Sequence, residues 1–265
     1  MGILINNENY PIFGFFMERT KTGIQGLDQA LEGGIPAGNL VLLSGGAGTG
    51  KSTLCLQFAV NGSALFGERA LYISTEQSIE ELHKHAASFG WNLELLEQKN
   101  LLRIIFFDIT HGNNFLQDVD ATIKEFRPKR IAIDSLTTLT DALIIGGMRD
   151  ESQFSLVEVV EKVSPVPRTE QIIAKSILYK LISELKKYSI TALLTSELYE
   201  ESKRLSADGI SEFITDGVVL LHYIEIGVGD YRSMEIRKMR YSDYDKDIIP
   251  YDITPRGIQI LEKMK

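Results

Sequence analysis

One short stretch constrains this chain more than any other. Leu40-Val41-Leu42-Leu43 is apolar at every position, and Gly45-Gly46-Ala47-Gly48-Thr49-Gly50-Lys51-Ser52 follows one residue later. A run without polar alternation suits a strand buried on both faces, as in a parallel sheet. Glycines let the backbone turn tightly and bring its N–H groups onto an anion. The residues from 51 to 66 read as a helix closed by Gly67, and its N-terminal dipole points at the same anion. Strand, glycine-rich turn and helix together match G-x-x-x-x-G-K-[ST], the phosphate-cradling loop. Gly45, Gly46, Ala47, Gly48, Thr49, Gly50, Lys51, Ser52 and Thr53 are thus expected to hold ATP. Lys51 is placed to bridge the β- and γ-phosphates, and the Ser52 hydroxyl to bind Mg²⁺.

The rest of the chain continues that grammar. Residues 70–73, 101–107, 131–133 and 190–194 read as strands, and 78–88 (with Ser78 as N-cap) and 172–187 as helices. Alternating strands and helices predict an α/β fold, a mainly parallel sheet between helices. After Asp216 the strands 218–223, 233–241 and 257–261 are joined by short turns, which predicts a C-terminal antiparallel extension. Residues 1–20 read as an N-terminal arm carrying Phe13, Phe15 and Phe16, and 21–265 as a single domain. Residues 144–171 lack a clear strand and read as a long loop or insertion.

Two carboxylates complete a hydrolytic set. Asp134 ends the apolar run Ile131-Ala132-Ile133, at the carboxyl edge of a parallel strand where ligands sit, and is assigned to Mg²⁺. Glu76 follows the strand at 70–73 and is assigned as the base that polarises the attacking water. Composition excludes other classes. A lone cysteine, Cys55, allows neither a disulfide within the chain nor a cysteine zinc cluster. No apolar run reaches the roughly 18 residues of a membrane helix, so no membrane insertion is expected. The lone cysteine predicts a reducing, cytoplasmic setting, and the start Met-Gly-Ile-Leu-Ile-Asn does not resemble a signal peptide. His83 and His85, two apart on a helix, cannot chelate as an i, i+4 pair.

These residues carry a resemblance. Thr22-Gly23-Ile24-x-Gly26-Leu27-Asp28, Gly33-Gly34-Ile35-Pro36, the phosphate loop and Glu76 are similar to blocks of the KaiC-type ATPases of the RecA superfamily. So are Leu194-Thr195-Ser196-Glu197, the block 209–216, Lys238-Met239-Arg240 and Asp252-Ile253-Thr254-x-x-Gly257. The resemblance spans residues 20–262. It implies a RecA-like P-loop fold, a homo-oligomer (commonly a hexameric ring) with ATP between subunits, and a protein partner it does not name. It gives Glu76 the role of base and places Thr195 and Ser196 beside the γ-phosphate. Lys238 and Arg240 become catalytic cations reaching the γ-phosphate of the adjacent subunit. Strand alternation would put Met234, Ile236, Lys238 and Arg240 on one face, apolar first and cationic last.

The chain departs from the family pattern in several places: it carries one lobe where the clock protein has two, and its stretch from Leu143 to Ile172 is longer than the family usually shows. Gln77 stands where the family often has a second acid after Glu76. Tyr241-Ser242-Asp243-Tyr244 stands where Gly-Thr-x-His is common. Glu212-Phe213 stands near the Ser-Thr pair of a phosphorylating lobe, which argues against autokinase activity. Besides an ATPase that drives or regulates a partner, two readings follow. One is a nucleotide-dependent assembly protein with little turnover, of the kind that serves archaeal swimming filaments. The other is a RadA paralogue in DNA repair. The latter would bind DNA through residues 144–176 and 200–212, which carry four basic against five acidic and two against four residues. Neither suits a phosphate track, so nucleic acid is a weak candidate.

Overall fold

The computed structural model describes residues 18–108, 115–149, 170–199, 204–226 and 229–261. Its centre is a nine-stranded sheet. In chain order the strands are β1 (Arg19–Thr20), β2 (Ile35–Pro36), β3 (Leu40–Gly45), β4 (Ala70–Ser74), β5 (Leu102–Phe106), β6 (Arg130–Asp134), β7 (Thr191–Glu197), β8 (Gly217–Ile226), β9 (Gly229–Met239), β10 (Ile249–Thr254) and β11 (Gly257–Ile260). The large sheet runs β11-β10-β9-β8-β3-β7-β6-β4-β5, while β1 and β2 form a separate antiparallel pair. Strands β8, β3, β7, β6, β4 and β5 are mutually parallel; β9, β10 and β11 extend the sheet antiparallel. This is the expected α/β RecA-like fold with its C-terminal antiparallel extension.

Helices cover both faces. They are α1 (Leu27–Ala30), α2 (Lys51–Phe66), α3 (Ile79–Ser88), α4 (Leu93–Gln98), α5 (Phe115–Phe126), α6 (Leu136–Arg149), α7 (Glu170–Lys187) and α8 (Ser211–Ile214). Alternate residues of β3 divide the core. Val41 and Leu43 pack under α2 with Leu54, Phe58 and Tyr72, whereas Leu40 and Leu42 pack with Leu139, Leu178 and Leu181 of α6 and α7. The apolar strands are buried at every position because helices lie on both sides of them. Gly67 closes α2 in the left-handed conformation, and Ser78 opens α3 with a capping box shared with Glu81.

The structure adds elements and corrects one face. Helices α4, α5, α6 and α8 and strands β1, β2 and β10 join those read from sequence. Of the stretch 144–171, the first part continues α6 to Arg149 and the last begins α7 at Glu170; residues 150–169 lie outside the described residues. The aromatic arm at Phe13, Phe15 and Phe16 lies outside them too. Strand β9 does not alternate evenly to its end. The pairing shifts between Val218 and Val219, which face Lys238 and Ile236, so Arg237 is left over as a β-bulge. Met234, Ile236 and Met239 therefore share the α2-side core, and Lys238 turns to the opposite face, toward α8. The expectation of one continuous face from Met234 to Arg240 is thus wrong, because one extra residue inverts the alternation.

Candidate functional site

The loop between β3 and α2 is built as its sequence requires. Gly50 takes φ 88° at the helix N-cap, and a Cβ there would sit 2.8 Å from Ile253 Cδ1 of β10, so both conformation and space require glycine. The first N–H groups of α2, on Lys51, Ser52 and Thr53, have no partner within the helix and are free to meet an anion. Lys51 is nearly buried, and its ammonium donates to Gly46 O at 2.9 Å, folded across the mouth of the loop. Thr49 Oγ1 closes the same turn on Gly46 O at 2.9 Å. Thr53 is buried, with its hydroxyl 3.2 Å from His85 Nε2. What Thr53 offers the loop is its backbone N–H.

Asp134 ends β6 at 2% exposure. Tyr72 donates its phenol hydrogen to Oδ2 at 2.8 Å, and Thr195 its hydroxyl hydrogen to Oδ1 at 2.7 Å. Three parallel strands thus present one fixed carboxylate beneath α2. Hydroxyl and carboxylate oxygens are the ligands Mg²⁺ prefers. Burial and the nearby Asp134 charge push the Tyr72 phenol well above its ordinary pKa. The same two causes raise the Cys55 thiol, against a smaller opposing effect of Lys51. Cys55 is therefore an inert packing residue.

Glu76 lies exposed just beyond β4, and the Thr138 hydroxyl donates to its Oε1 at 2.8 Å. Thr138 in turn receives the Ser135 hydroxyl at 2.9 Å. Ser196 is the last residue but one of β7, where its Oγ accepts Ala207 N–H at 3.0 Å and lies 3.4 Å from Thr137 Oγ1. The neighbours Thr137 and Thr138 at the start of α6 therefore tie Ser196 and Glu76 to one helix end. Gly45, Lys51, Asp134, Glu76 and Ser196 all sit at the carboxyl edge of the parallel strands.

Lys238 and Arg240 sit elsewhere. Met239 pairs with Gly217, and Gly217 with Val41; Arg240 N–H donates to Asp216 O, level with Leu40. Arg240 is thus five residues down the sheet from Gly45, about 16 Å at a strand's rise. Two residues at the loop escaped the sequence reading. Arg232 of β9 donates from Nε to Gly48 O at 3.3 Å and lies 4.9 Å over the Tyr223 ring. Tyr251 of β10 donates its phenol hydrogen to Thr49 O, and burial raises its pKa. Neither stands in a local motif; the antiparallel extension brings them across, a signal only the fold carries.

Comparison with known proteins agrees with this geometry. A family model described as the KaiC ATPase matches residues 20–153 and 148–265. The circadian clock oscillator protein KaiC of Parasynechococcus marenigrum is 30% identical over 254 residues, covering 92% of this chain and 45% of that protein. Its counterpart in Synechococcus elongatus is 29% identical over 255 residues, 91% of this chain and 44% of that one. The chain thus spans less than half the length of these relatives. The crystal structure of a KaiC-like protein from Pyrococcus horikoshii OT3 superposes with a TM-score of 0.76 at 32% identity, covering 93% of this chain and all of that one. With the loop, the sheet order and these matches in agreement, the chain belongs to the KaiC ATPase family, as a RecA-type lobe.

Proposed function

We propose that the protein binds and hydrolyses ATP with Mg²⁺, in a ring of identical subunits that places each nucleotide between two copies and drives or regulates a partner protein. The observation that carries this reading is the separation just described. Loop, base and metal carboxylate share one edge, while Lys238 and Arg240 lie about 16 Å down the sheet and on the α8 side. Those cations cannot serve their own loop, but they can serve that of a second copy. Phe213 and Tyr241, 71% and 69% exposed, flank Arg240 and supply apolar surface for such a contact.

In this reading the N–H groups of the loop and the Lys51 ammonium hold the phosphates. Ser52 and Asp134 would hold Mg²⁺, which when bound neutralises charge on the β- and γ-oxygens. Glu76, steadied by Thr138, orients the attacking water and takes its proton. Ser196 lies where it can register the γ-phosphate. Lys238 and Arg240 of the neighbouring copy stabilise charge on the transferring group.

The test is the mass of the purified protein with and without ATP and Mg²⁺, paired with phosphate release. The expected result is a ring-sized species whose turnover is lost in Glu76→Gln. Absence of phosphate release from a ring-sized species, unchanged by that substitution, overturns hydrolysis. One observation favours the alternative of ATP-dependent assembly with little turnover: Gln77 supplies no second acid beside Glu76. Tight ATP binding with ring formation and turnover far below about 1 s⁻¹ would select it. A salt-dependent shift of single-stranded DNA would instead select the DNA-repair reading.

A further inference from the structure

The edge of the sheet far from the loop has its own charge arrangement, centred on Asp216. This side chain is 5% exposed. Its backbone N–H donates to Leu40 O at 2.8 Å, and its Oδ2 accepts Leu40 N–H at 3.1 Å. Oδ1 meets Arg240 Nη1 at 3.2 Å and Lys186 Nζ at 2.9 Å. Arg240 returns a second bond, from its N–H to Asp216 O at 2.8 Å. The preceding carbonyls of Thr215 and Glu212 accept Lys238 Nζ at 2.6 and 3.0 Å. The bulge in β9 makes this last pair possible by turning Lys238 to the α8 face.

The Asp216 carboxylate therefore holds Lys186 and Arg240, while the carbonyls of Thr215 and Glu212 hold Lys238 beside them. Burial, and next the Arg240 charge, lower the pKa of Lys238. Three cations against two acids, Asp216 and Glu212, leave a surplus of positive charge suited to an anion arriving from outside. Neither oxygen of Asp216 is spare: one fixes it to the first residue of β3, the other grips the guanidinium.

We propose that Asp216 is the positioning residue for the cations that act on the neighbouring subunit. It anchors the corner of residues 212–216 to β3 and holds Arg240 in the orientation it presents across the interface. The proposal rests on the reading of Lys238 and Arg240 as acting in trans. Asp216 itself touches no nucleotide. The rival role is local, through Leu40, on the strand that leads to the chain's own loop.

Mixed rings separate the two. Asp216→Asn keeps an acceptor for Leu40 N–H and removes the charge that holds Arg240. Alone it is expected to lower kcat about 100-fold, as misplaced catalytic groups do, with KM for ATP little changed. Mixed in equal amounts with Glu76→Gln, it should regain about a quarter of wild-type turnover, because one adjacent pair in four joins an intact loop to an intact cation pair. Arg240→Ala mixed with Glu76→Gln is the control and should recover likewise. Recovery by Arg240→Ala without recovery by Asp216→Asn overturns the positioning role and leaves the trans reading standing. Recovery by neither overturns the trans reading and the proposal with it. If Asp216→Asn melts at the assay temperature, Asp216→Glu, which keeps the charge and displaces it by one methylene, takes its place. It should lose kcat and complement in the same way; wild-type turnover from Asp216→Glu alone overturns the proposal.

Discussion

Asp134 carries a carboxylate at 2% exposure between two neutral hydroxyls, an arrangement tolerable only because both oxygens are hydrogen-bonded. Tyr72→Phe removes one donor without changing shape. It should raise the Mg²⁺ concentration needed for half-maximal phosphate release about 10- to 100-fold, the usual cost of losing a group that orients a ligand. His85 supports a pH prediction. Burial lowers its pKa, against a smaller effect of Asp134, and its Nδ1 has no partner among the described residues. The unfolded chain therefore binds this proton more readily than the fold does. Stability is fully present above the ordinary imidazole pKa, about 6.5, and falls as pH drops below it toward the lower folded value. Thermal melts at pH 7.5 and 5.5 should show a smaller drop for His85→Asn than for the wild type. An equal drop would remove His85 as the cause.

At the scale of elements, the packing of α2 on β6 turns on Arg130. This residue is fully buried, yet its guanidinium donates to Phe58 O, Lys21 O and the Glu68 carboxylate, and lies 4.6 Å over the Phe58 ring. It passes α2 where Gly62 leaves room; a Cβ there would meet Arg130 Nε at 2.2 Å. Gly62→Ala should cost at least about 3 kcal/mol, since it both overpacks the core and disturbs a buried ion pair. Urea unfolding measures this, and a loss below about 1 kcal/mol would refute it. Elements of one strong pattern were legible in the sequence. The apolar runs within β3, β4 and β6, the capped α3 and the glycine-closed α2 each announce themselves locally. Strand β10 was hidden by Pro250, which lacks the N–H a strand interior uses, although Ile249, Tyr251 and Ile253 alternate along it. The bulge at Arg237 had no local mark, because it arises from pairing with Val218 and Val219. At the site, the loop, Asp134 and Glu76 were legible as motif and strand end. Arg232 and Tyr251 were not, since they reach the loop only when the extension folds across.

Over the whole molecule, ATP is expected to act as a stabiliser, since the loop binds it only when β3 and α2 are in place. Excess ATP and Mg²⁺ at about 100 times the dissociation constant should add about 2.7 kcal/mol. A thermal-shift assay would register this as a rise in Tm, and Lys51→Ala should abolish it. The strand order has one more consequence. Loop and cations lie at opposite edges of the same sheet, so a contact joining them uses two different surfaces and leaves one of each unsatisfied on every pair. Such head-to-tail joining has no twofold axis and gives the assembly a polarity, with every copy facing the same way. Whether it closes or winds on as a filament depends on the rotation between neighbours. In the proposed assembly, the rotation set where the loop of one copy meets the cations of the next would fix the number of copies in a turn.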